Sequence, residues 1–241
     1  MTQEAFEYRT DPETGVVYSR VNSKFKSEAD EIAYKAMLKQ SGIPKEYWTL
    51  SWEKVKDNYT TSKDSFNKAM RYIRKKDDEA LRNVSLFLTG PNLSGKTTVA
   101  CLIGQGFLRA GKIVHYVLAN NLALLFHNSF SYGDDDAKAK LKSILRADLL
   151  IIDEIFDDTK VFMYKDPDSK LRIIAMWDQT LRTHISEGRR LVLLSNQALD
   201  KARSYSTSIF ELLDSNCRVL EFKDNVKGLK KQRIQDALEK D

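Results

Sequence analysis

The chain contains 241 residues, 42% of them hydrophobic, so it can bury one sizeable core. Its formal net charge of +5 mildly favours an anionic partner. Its two cysteines, Cys101 and Cys217, have no Cys or His companion at metal-ligand spacing, which argues against a zinc site and favours core thiols in a reducing compartment. The acidic start and the lack of a bilayer-length apolar run predict neither a signal peptide nor a membrane span, so we expect a cytoplasmic protein with no membrane partner.

Residues 1–42 are predicted to form a small N-terminal extension. Residues 7–21 are typical of a β-hairpin around a Pro/Gly turn at residues 11–15. A short helix follows, with Ser27 as a candidate N-cap and Gly42 at its end. This extension either docks a partner or simply stabilises the rest of the chain, and both interpretations stay open.

Residues 43–223 are predicted to form the main domain, in which strands and helices alternate. A helix is expected over residues 62–82, where apolar residues form one stripe. Beyond it, the alternation predicts an α/β fold with a five-stranded parallel sheet, right-handed crossovers and helices on both faces. The predicted strands are residues 85–89, 113–118, 149–152, 191–195 and 218–222, and the predicted helices are 95–110, 119–147 with a break at 129–134, 169–187 and 207–213.

A glycine-rich turn with the pattern Gly-x-x-x-x-Gly-Lys-Thr joins the first of these strands to the next helix. Gly90 and Gly95 permit the tight turn, and the backbone N–H groups at the helix start favour bound phosphate. Lys96 is expected to reach the β- and γ-phosphates of ATP, and the Thr97 hydroxyl is expected to coordinate Mg²⁺. The residues predicted to bind the nucleotide are Gly90, Pro91, Asn92, Ser94, Gly95, Lys96, Thr97 and Thr98.

Two carboxylates, Asp153 and Glu154, follow four consecutive apolar residues of another predicted strand. Such a strand suits the centre of a parallel sheet, so both acids emerge at its carboxyl edge, where ligands bind. We expect Asp153 to hold Mg²⁺ and Glu154 to polarise the attacking water as a general base. Asn196 ends a further strand and is a candidate for contacting the γ-phosphate or that water, although Ser195-Asn196 is equally typical of a simple turn.

Aromatic and basic residues interrupt the long helical segment 119–147. Phe130 and Tyr132 lie in its predicted break, and several lysines follow directly. Aromatic side chains beside positive charge can stack on unpaired bases, which makes this segment a candidate for contact with single-stranded DNA. The same two residues could instead pack against the core or against a neighbouring subunit.

Together these motifs resemble the AAA+ P-loop ATPases of the DnaC/DnaI helicase-loader family, and also the related IstB transposition ATPases. The resemblance covers residues 42–223 and includes the lead-in Ile43-Pro44-Lys45-Glu46-Tyr47 and the segment 110–116. It implies an AAA+ fold and an ATPase that uses ATP and Mg²⁺.

The resemblance also implies a role for each motif. The loop at residues 90–98 would be the Walker A motif, Asp153 and Glu154 the Walker B motif, and Asn196 the first sensor. Loaders of this family bind the replicative helicase through their N-terminal part, oligomerise on nucleotide and touch single-stranded DNA. On this resemblance we expect a homo-oligomer with a replicative helicase and single-stranded DNA as partners.

Two features depart from the family pattern. Relatives place arginines on the short helix before the last strand, whereas residues 205–213 contain none. Since an arginine finger accelerates phosphoryl transfer by about 10³- to 10⁵-fold, its absence predicts slow hydrolysis unless Arg203 or Arg218 substitutes, and Arg203 is preferred because it precedes the short helix. Only a basic tail, residues 224–241, follows the core, so no full lid domain is expected.

The most direct interpretation is an ATP-dependent helicase loader in DNA replication, which places a replicative helicase on single-stranded DNA under nucleotide control. An IstB-like regulator of transposition that acts on duplex DNA is the nearest alternative. A non-hydrolysing, nucleotide-gated adaptor is a third hypothesis, motivated by the missing arginine. Resemblance at the level of the fold does not by itself choose among them.

Overall fold

The amino-terminal part of the chain forms a hairpin and a helix. Strands β1 (Phe6–Thr10) and β2 (Val17–Val21) pair antiparallel, which confirms the predicted hairpin. Helix α1 (Glu28–Ser41) ends just before Gly42, which has a φ of +75°. The hairpin turn and the candidate N-cap Ser27 lie outside the described residues. The computed structural model describes residues 6–10, 17–21, 28–75, 78–81, 83–157 and 167–226.

The centre of the protein is a five-stranded parallel sheet, as predicted. The strands are β3 (Ser85–Thr89), β4 (Val114–Leu118), β5 (Leu149–Asp153), β6 (Arg190–Ser195) and β7 (Cys217–Glu221). Their order in the sheet is β4-β5-β6-β3-β7, so β3, the first of them along the chain, lies between β6 and β7, the last two. Because all five strands run in the same direction, the carboxyl ends of β3, β5 and β6 meet along one edge.

Helices cover both faces of this sheet. Besides α1, they are α2 (Trp52–Val55), α3 (Lys63–Arg74), α4 (Lys96–Arg109), α5 (Ala119–Ser131), α6 (Asp135–Leu145), α7 (Pro167–Ser186) and α8 (Thr207–Asn216). Successive residues of β5 point to opposite faces, so Leu149 and Ile151 belong to one buried core and Leu150 and Ile152 to the other. The first core also contains α1, α3 and α4, and the second contains α5, α6, α7 and α8. Within the described residues, no helix combines the length and apolar character needed to cross a bilayer.

The helix predicted over residues 62–82 is shorter in the structure. α3 ends at Arg74, and among the described residues of this stretch a short 3₁₀ helix (Glu79–Leu81) follows it. The sequence between Ile73 and Leu81 is mostly charged, so it offers no large apolar side chain that would hold a longer helix against the core. This part of the prediction was wrong because the apolar stripe was extended across a gap.

The predicted break in segment 119–147 is also shorter than expected. α5 continues to Ser131, and α6 begins at Asp135. The Asp134 carboxylate accepts a hydrogen bond from the Ala137 backbone N–H (3.0 Å), so it acts as the N-cap that starts the second helix. A 3₁₀ helix before α8, Leu199–Ser204, was not predicted.

Candidate nucleotide-binding site

The loop between β3 and α4, which we call the phosphate loop (residues 90–95), needs glycine at two positions. Gly90 has a φ of +142° and Gly95 a φ of +88°. A Cβ atom on Gly90 would lie only 1.9 Å from the carbonyl oxygen of Phe222, so no side chain fits there without movement. Leu93 also has a positive φ, +66°, which is uncommon for a residue other than glycine and indicates local strain.

The Lys96 ammonium group lies at the centre of the site and is buried. Burial lowers the pKa of Lys96 to about 8. All of its hydrogen-bond acceptors are oxygen atoms, so the oxygens of a bound triphosphate can take over these interactions. Nζ donates to Gly90 O (2.7 Å), Pro91 O (2.8 Å), Ser94 Oγ (3.4 Å) and Asn196 Oδ1 (3.1 Å).

Asp153 ends β5 and connects it with α4 and β4. Its Oδ2 atom accepts hydrogen bonds from Thr97 Oγ1 (2.9 Å) and Tyr116 Oη (2.8 Å). Its Oδ1 atom accepts one from the Glu154 backbone N–H (2.8 Å). Burial raises the pKa of the Asp153 carboxyl group, while these hydrogen bonds favour its charged form. The Thr97 hydroxyl and the Asp153 carboxylate are therefore adjacent, and hard oxygen ligands of this kind suit Mg²⁺.

Glu154 follows Asp153 in a left-handed backbone conformation, with a φ of +62°. The chain leaves the strand there, although the next residue, Ile155, still donates its N–H to the Leu194 carbonyl oxygen of β6 (2.9 Å). A residue other than glycine is strained in this conformation, and strained backbone is concentrated at functional sites. Glu154 is half-buried beside the candidate metal ligand, a position that suits a group that polarises water without binding the metal.

Asn196, at the end of β6, belongs to the same cluster. Its side-chain oxygen accepts the hydrogen bond from Lys96, a residue 100 positions earlier in the chain. The Thr89 hydroxyl donates to the Gln197 carbonyl oxygen (2.8 Å), which ties the ends of β3 and β6 together. The structure thus brings five of the predicted residues together at one edge of the sheet: Lys96, Thr97, Asp153, Glu154 and Asn196. The other predicted residues line the phosphate loop or the first turn of α4, where Pro91 and Asn92 are exposed, Ser94 is buried and Thr98 is half-buried.

Arg203, the predicted arginine finger, contacts two residues that are not members of this cluster. Its guanidinium group stacks over the Phe210 ring, 3.5 Å from the centroid, and its Nε atom lies 3.7 Å from an Asp200 carboxylate oxygen. Arg218 is exposed on β7, an edge strand of the sheet. An arginine finger can act on the nucleotide of a neighbouring subunit, so the role of Arg203 stays a prediction.

Tyr116 is a site residue that sequence reasoning missed. β4 pairs with β5 so that Tyr116 lies opposite Ile151, two residues before Asp153 on the same face. The only available signal was a polar ring within a mostly apolar strand. That signal was not sufficient, because nothing in the strand itself says which other strand lies beside it.

A metal ion that binds together with a nucleotide needs few protein ligands. Among the residues that the structure describes, no group of three or more His, Cys, Asp or Glu side chains is placed to hold a metal ion. Mg²⁺ commonly binds through one or two protein ligands together with substrate phosphates and water. Thr97 and Asp153 fit this pattern, so the site suits a magnesium ion that arrives with the nucleotide.

Comparison with known proteins places this site in a known fold. Residues 59–161 match the family described as IstB-like ATP binding protein. No curated protein matches the sequence. A DnaC helicase loader structure matches with 17% identity and a TM-score of 0.58, over 75% of this chain and 100% of that chain. DnaI matches with 16% identity and a TM-score of 0.55, over 75% and 95% of the two chains. The replication initiator DnaA bound to AMPPCP and single-stranded DNA matches with 15% identity and a TM-score of 0.59, over 75% and 51%.

These findings confirm the AAA+ P-loop fold and the predicted resemblance to DnaC, DnaI and the IstB-like ATPases. The chain spans about half of the initiation proteins that it matches, with 51%, 52% and 51% of their lengths covered. At such low sequence identity, structural likeness establishes the fold and leaves activity and partners to be argued from the site.

Proposed function

We propose that this chain, part of which matches the IstB-like ATP binding proteins, is an ATP-dependent helicase loader in DNA replication. It would bind a replicative helicase and single-stranded DNA under nucleotide control. The ATPase activity rests on one observation, the meeting of Lys96, Thr97, Asp153, Glu154 and Asn196 at the carboxyl edge of the sheet. The loader assignment is supported by the match to a DnaC helicase loader over the whole of that chain.

The residues of the cluster divide the work of ATP hydrolysis. Lys96 exchanges its loop carbonyl partners for β- and γ-phosphate oxygens. Thr97 and Asp153 would hold Mg²⁺, which would supply charge neutralisation for the phosphate oxygens. Glu154 orients the attacking water and accepts its proton. Asn196, already hydrogen-bonded to Lys96, positions that water or the γ-phosphate.

A homo-oligomer is part of this proposal. α8 contains no arginine, so the finger must come from elsewhere. Arg203 is exposed in front of α8, where it forms a solvent-accessible ion pair with Asp200 and a stacking contact with Phe210. Surface ion pairs contribute little, so Arg203 can exchange these contacts for a neighbour's γ-phosphate at small cost. Slow hydrolysis by the isolated protein, stimulated by its partners, is the expected behaviour.

A groove of about 520 Å³ supports the single-stranded DNA partner. It lies between the end of α5, α6 and the end of α7, and Arg146 and Arg189 place it at the amino edge of the sheet, just before β5 and β6. Lys138 and Arg189 already pair with Asp135 and Glu187. Of the four cations that line the groove, Lys142 and Arg146 are therefore the main candidates for phosphate contacts.

The rim of this groove carries an aromatic platform. Phe130 is 78% exposed, although one of its faces stacks on Phe126 with the ring centroids 6.0 Å apart and the planes 15° from parallel. Tyr132, close by, is 75% exposed. Exposed rings beside cations are the combination by which proteins hold unpaired bases without sequence preference. The DnaA structure bound to single-stranded DNA is consistent with such a partner for this fold.

The hairpin of β1 and β2 is the proposed helicase-docking element. Helix α1, although part of the predicted extension 1–42, packs into the main core: Leu38 is 1% exposed, and the Tyr34 hydroxyl donates to Gln105 Oε1 of α4 (3.4 Å). A truncation that tests docking should therefore remove residues 1–27 and keep α1.

A helicase-loading assay tests the proposal. Purified protein, ATP and Mg²⁺ are mixed with the replicative helicase of the host and circular single-stranded DNA, and the helicase retained on the DNA is measured. The full chain should increase retention, and the protein lacking residues 1–27 should not, although it still binds nucleotide. Failure of the full chain to bind the helicase or to increase retention contradicts the proposal.

A regulator of transposition is the second candidate function. The family that matches residues 59–161, described as IstB-like ATP binding protein, is the observation that favours it. This alternative predicts a preference for duplex over single-stranded DNA, filament formation with ATP and no effect on helicase retention. Competition between duplex and single-stranded DNA of equal length distinguishes the two candidates. ATP binding without turnover, even with DNA and helicase present, would instead indicate a nucleotide-gated adaptor.

A further inference from the structure

A short segment after β7, residues 222–226, crosses the outside of the phosphate loop, and we call it the strap. The Phe222 backbone N–H donates to the Thr89 carbonyl oxygen (2.8 Å), so the strap begins as a continuation of the β3–β7 pairing. At its other end, the Val226 N–H donates to the Leu93 carbonyl oxygen (2.9 Å). The strap therefore contacts the phosphate loop directly.

Asp224, in the middle of the strap, is anchored to the start of α3. Its carboxylate accepts hydrogen bonds from the backbone N–H groups of Thr60 (3.0 Å), Thr61 (2.8 Å) and Ser62 (2.9 Å), and from the Thr60 hydroxyl (3.2 Å). The Lys223 N–H also donates to Ser62 Oγ (2.7 Å). Burial acts to raise the pKa of Asp224, but these hydrogen bonds outweigh it and keep the pKa below its usual value. The carboxylate is thus held in its charged form.

The same anchor secures a second contact with the phosphate loop. Tyr59, directly before Thr60, donates its hydroxyl to the Gly95 carbonyl oxygen (2.9 Å). Its ring stacks on Phe66 of α3, with the centroids 4.6 Å apart. The carbonyl groups of Leu93 and Gly95 are therefore both held from outside the loop, by residues on the two sides of the Asp224 anchor.

Holding these carbonyl groups matters for phosphate binding. The C=O and N–H groups of a trans peptide unit point in opposite directions, so a carbonyl held on the outside directs the following N–H towards the other side of the loop. Backbone N–H groups at the start of a helix are the donors that bind phosphate. The backbone of the loop is strained at Leu93, and Gly95 also has a positive φ. The hydrogen bonds from outside the loop help to preserve this conformation before the nucleotide binds.

We propose that Asp224 is a positioning residue for the nucleotide: through the strap and Tyr59, it holds the phosphate loop in the conformation that binds phosphate. Asp224 acts through Leu93 and Gly95, whose carbonyl groups the two arms of the anchor hold. The inference rests on the proposed nucleotide function of the site. It assigns a role to a residue outside the phosphate-loop and carboxylate motifs.

Equilibrium binding of a fluorescent ADP analogue to the full chain tests this proposal. Asp224→Asn keeps the size of the side chain but removes the charge that the three backbone N–H groups bind, so affinity should fall about tenfold, which corresponds to about 1.4 kcal/mol. Asp224→Glu restores a carboxylate and should recover part of the affinity. Asp214→Asn, at an exposed position of α8, removes the same charge elsewhere and should leave affinity unchanged.

A second pair of variants tests the strap without changing Asp224. Val226→Pro removes the N–H that binds Leu93, whereas Val226→Ala keeps it. Only the proline variant should weaken binding of the analogue. The thermal midpoint of every variant is measured without nucleotide, and affinities are compared at a temperature at which all of them are folded. Loss of affinity is thereby separated from loss of stability.

The outcomes separate this inference from the proposed function. If the unchanged protein does not bind the analogue, the nucleotide site itself is wrong. If it binds, but Asp224→Asn and Val226→Pro bind equally well, the positioning role is wrong. A lowered thermal midpoint with unchanged affinity gives Asp224 a structural role only and also overturns the proposal.

Discussion

The two edges of the central sheet carry their charges in different ways. At the carboxyl edge, Lys96 and Asp153 are each 7% exposed and are hydrogen-bonded by groups from other elements. At the amino edge, Lys142 and Arg146 of the groove are exposed, as is Phe130 beside them. The first edge is already organised in the absence of a ligand, whereas the second has the exposed charge that would suit the flexible partner proposed above.

This difference determines which conditions each edge should respond to. Buried charges interact strongly and are screened little, so binding at the carboxyl edge should depend on geometry and on protonation. Exposed cations bind a polyanion mainly by releasing its counterions, so binding at the amino edge should depend on ionic strength. Four experiments test this difference between the two edges.

The largest effect is expected from Glu154→Gln at the carboxyl edge. The amide keeps the size of the side chain but cannot accept a proton, so ATP hydrolysis should fall about 10²- to 10⁴-fold while ATP still binds. Single-turnover hydrolysis and equilibrium ATP binding measure the two quantities separately. Unchanged hydrolysis would exclude Glu154 as the general base, and loss of binding would indicate a structural role instead.

The combined change of Lys142→Gln and Arg146→Gln tests the amino edge. We expect single-stranded DNA affinity to fall about tenfold at low salt, and the slope of log affinity against log salt to become less steep by about 1.4, since each phosphate contact contributes about 0.7. Salt titrations of DNA binding measure both. The matched control is Lys39→Gln with Lys112→Gln, two exposed lysines outside the groove. An equal effect in the control would mean that net charge alone matters.

The pH dependence of nucleotide binding tests the buried Lys96. In the proposed site its protonated form binds phosphate, and burial lowers its pKa to about 8 in the free protein. Affinity should therefore be constant below that pH and fall as the pH rises above it, by at most about tenfold per pH unit. Titrations of nucleotide binding across this range give the profile. Lys96→Arg stays charged throughout, so the decrease should disappear in that variant; a flat profile in the unchanged protein contradicts the prediction.

The smallest effect is expected from Tyr116→Phe, which removes one of the two donors to Asp153 Oδ2. A buried hydrogen bond contributes about 1 kcal/mol, so the Mg²⁺-dependent part of ATP affinity should fall about fivefold. Titration with Mg²⁺ at constant ATP measures it. Tyr132→Phe, at an exposed ring, is the control. If both variants behave like the unchanged protein, the Tyr116 hydroxyl does not position Asp153.

Much of the fold was predictable, because its strands are short apolar runs that can be read locally. β3 has the predicted bounds, and β5 differs from the prediction only by including Asp153. The errors fall where local patterns were ambiguous. The predicted α3 was too long, because its apolar stripe was extended across a charged stretch. The predicted break after α5 was also too long, because the N-cap at Asp134 starts α6 after only a short turn.

The candidate site divides in the same way. Spacing alone predicted the residues of the phosphate loop and the two carboxylates, because glycine positions and strand ends carry that information along the chain. Spacing could not predict Tyr116, nor could it predict the strap, since their roles depend on which elements become neighbours. Arg203 remains a prediction, because its role would depend on another subunit.

The positions of the strands, the approximate positions of most helices and the loop expected to bind phosphate could be read from the sequence, because each depends on residues close together in the chain. The tertiary structure is needed to see that Tyr116 meets Asp153, 37 positions away, and that Asp224 meets Thr60, 164 positions away. Those contacts follow from the order of the strands and from the way the chain returns to the phosphate loop after β7. Strand order results from packing of the whole core, so no local pattern of residues can specify it.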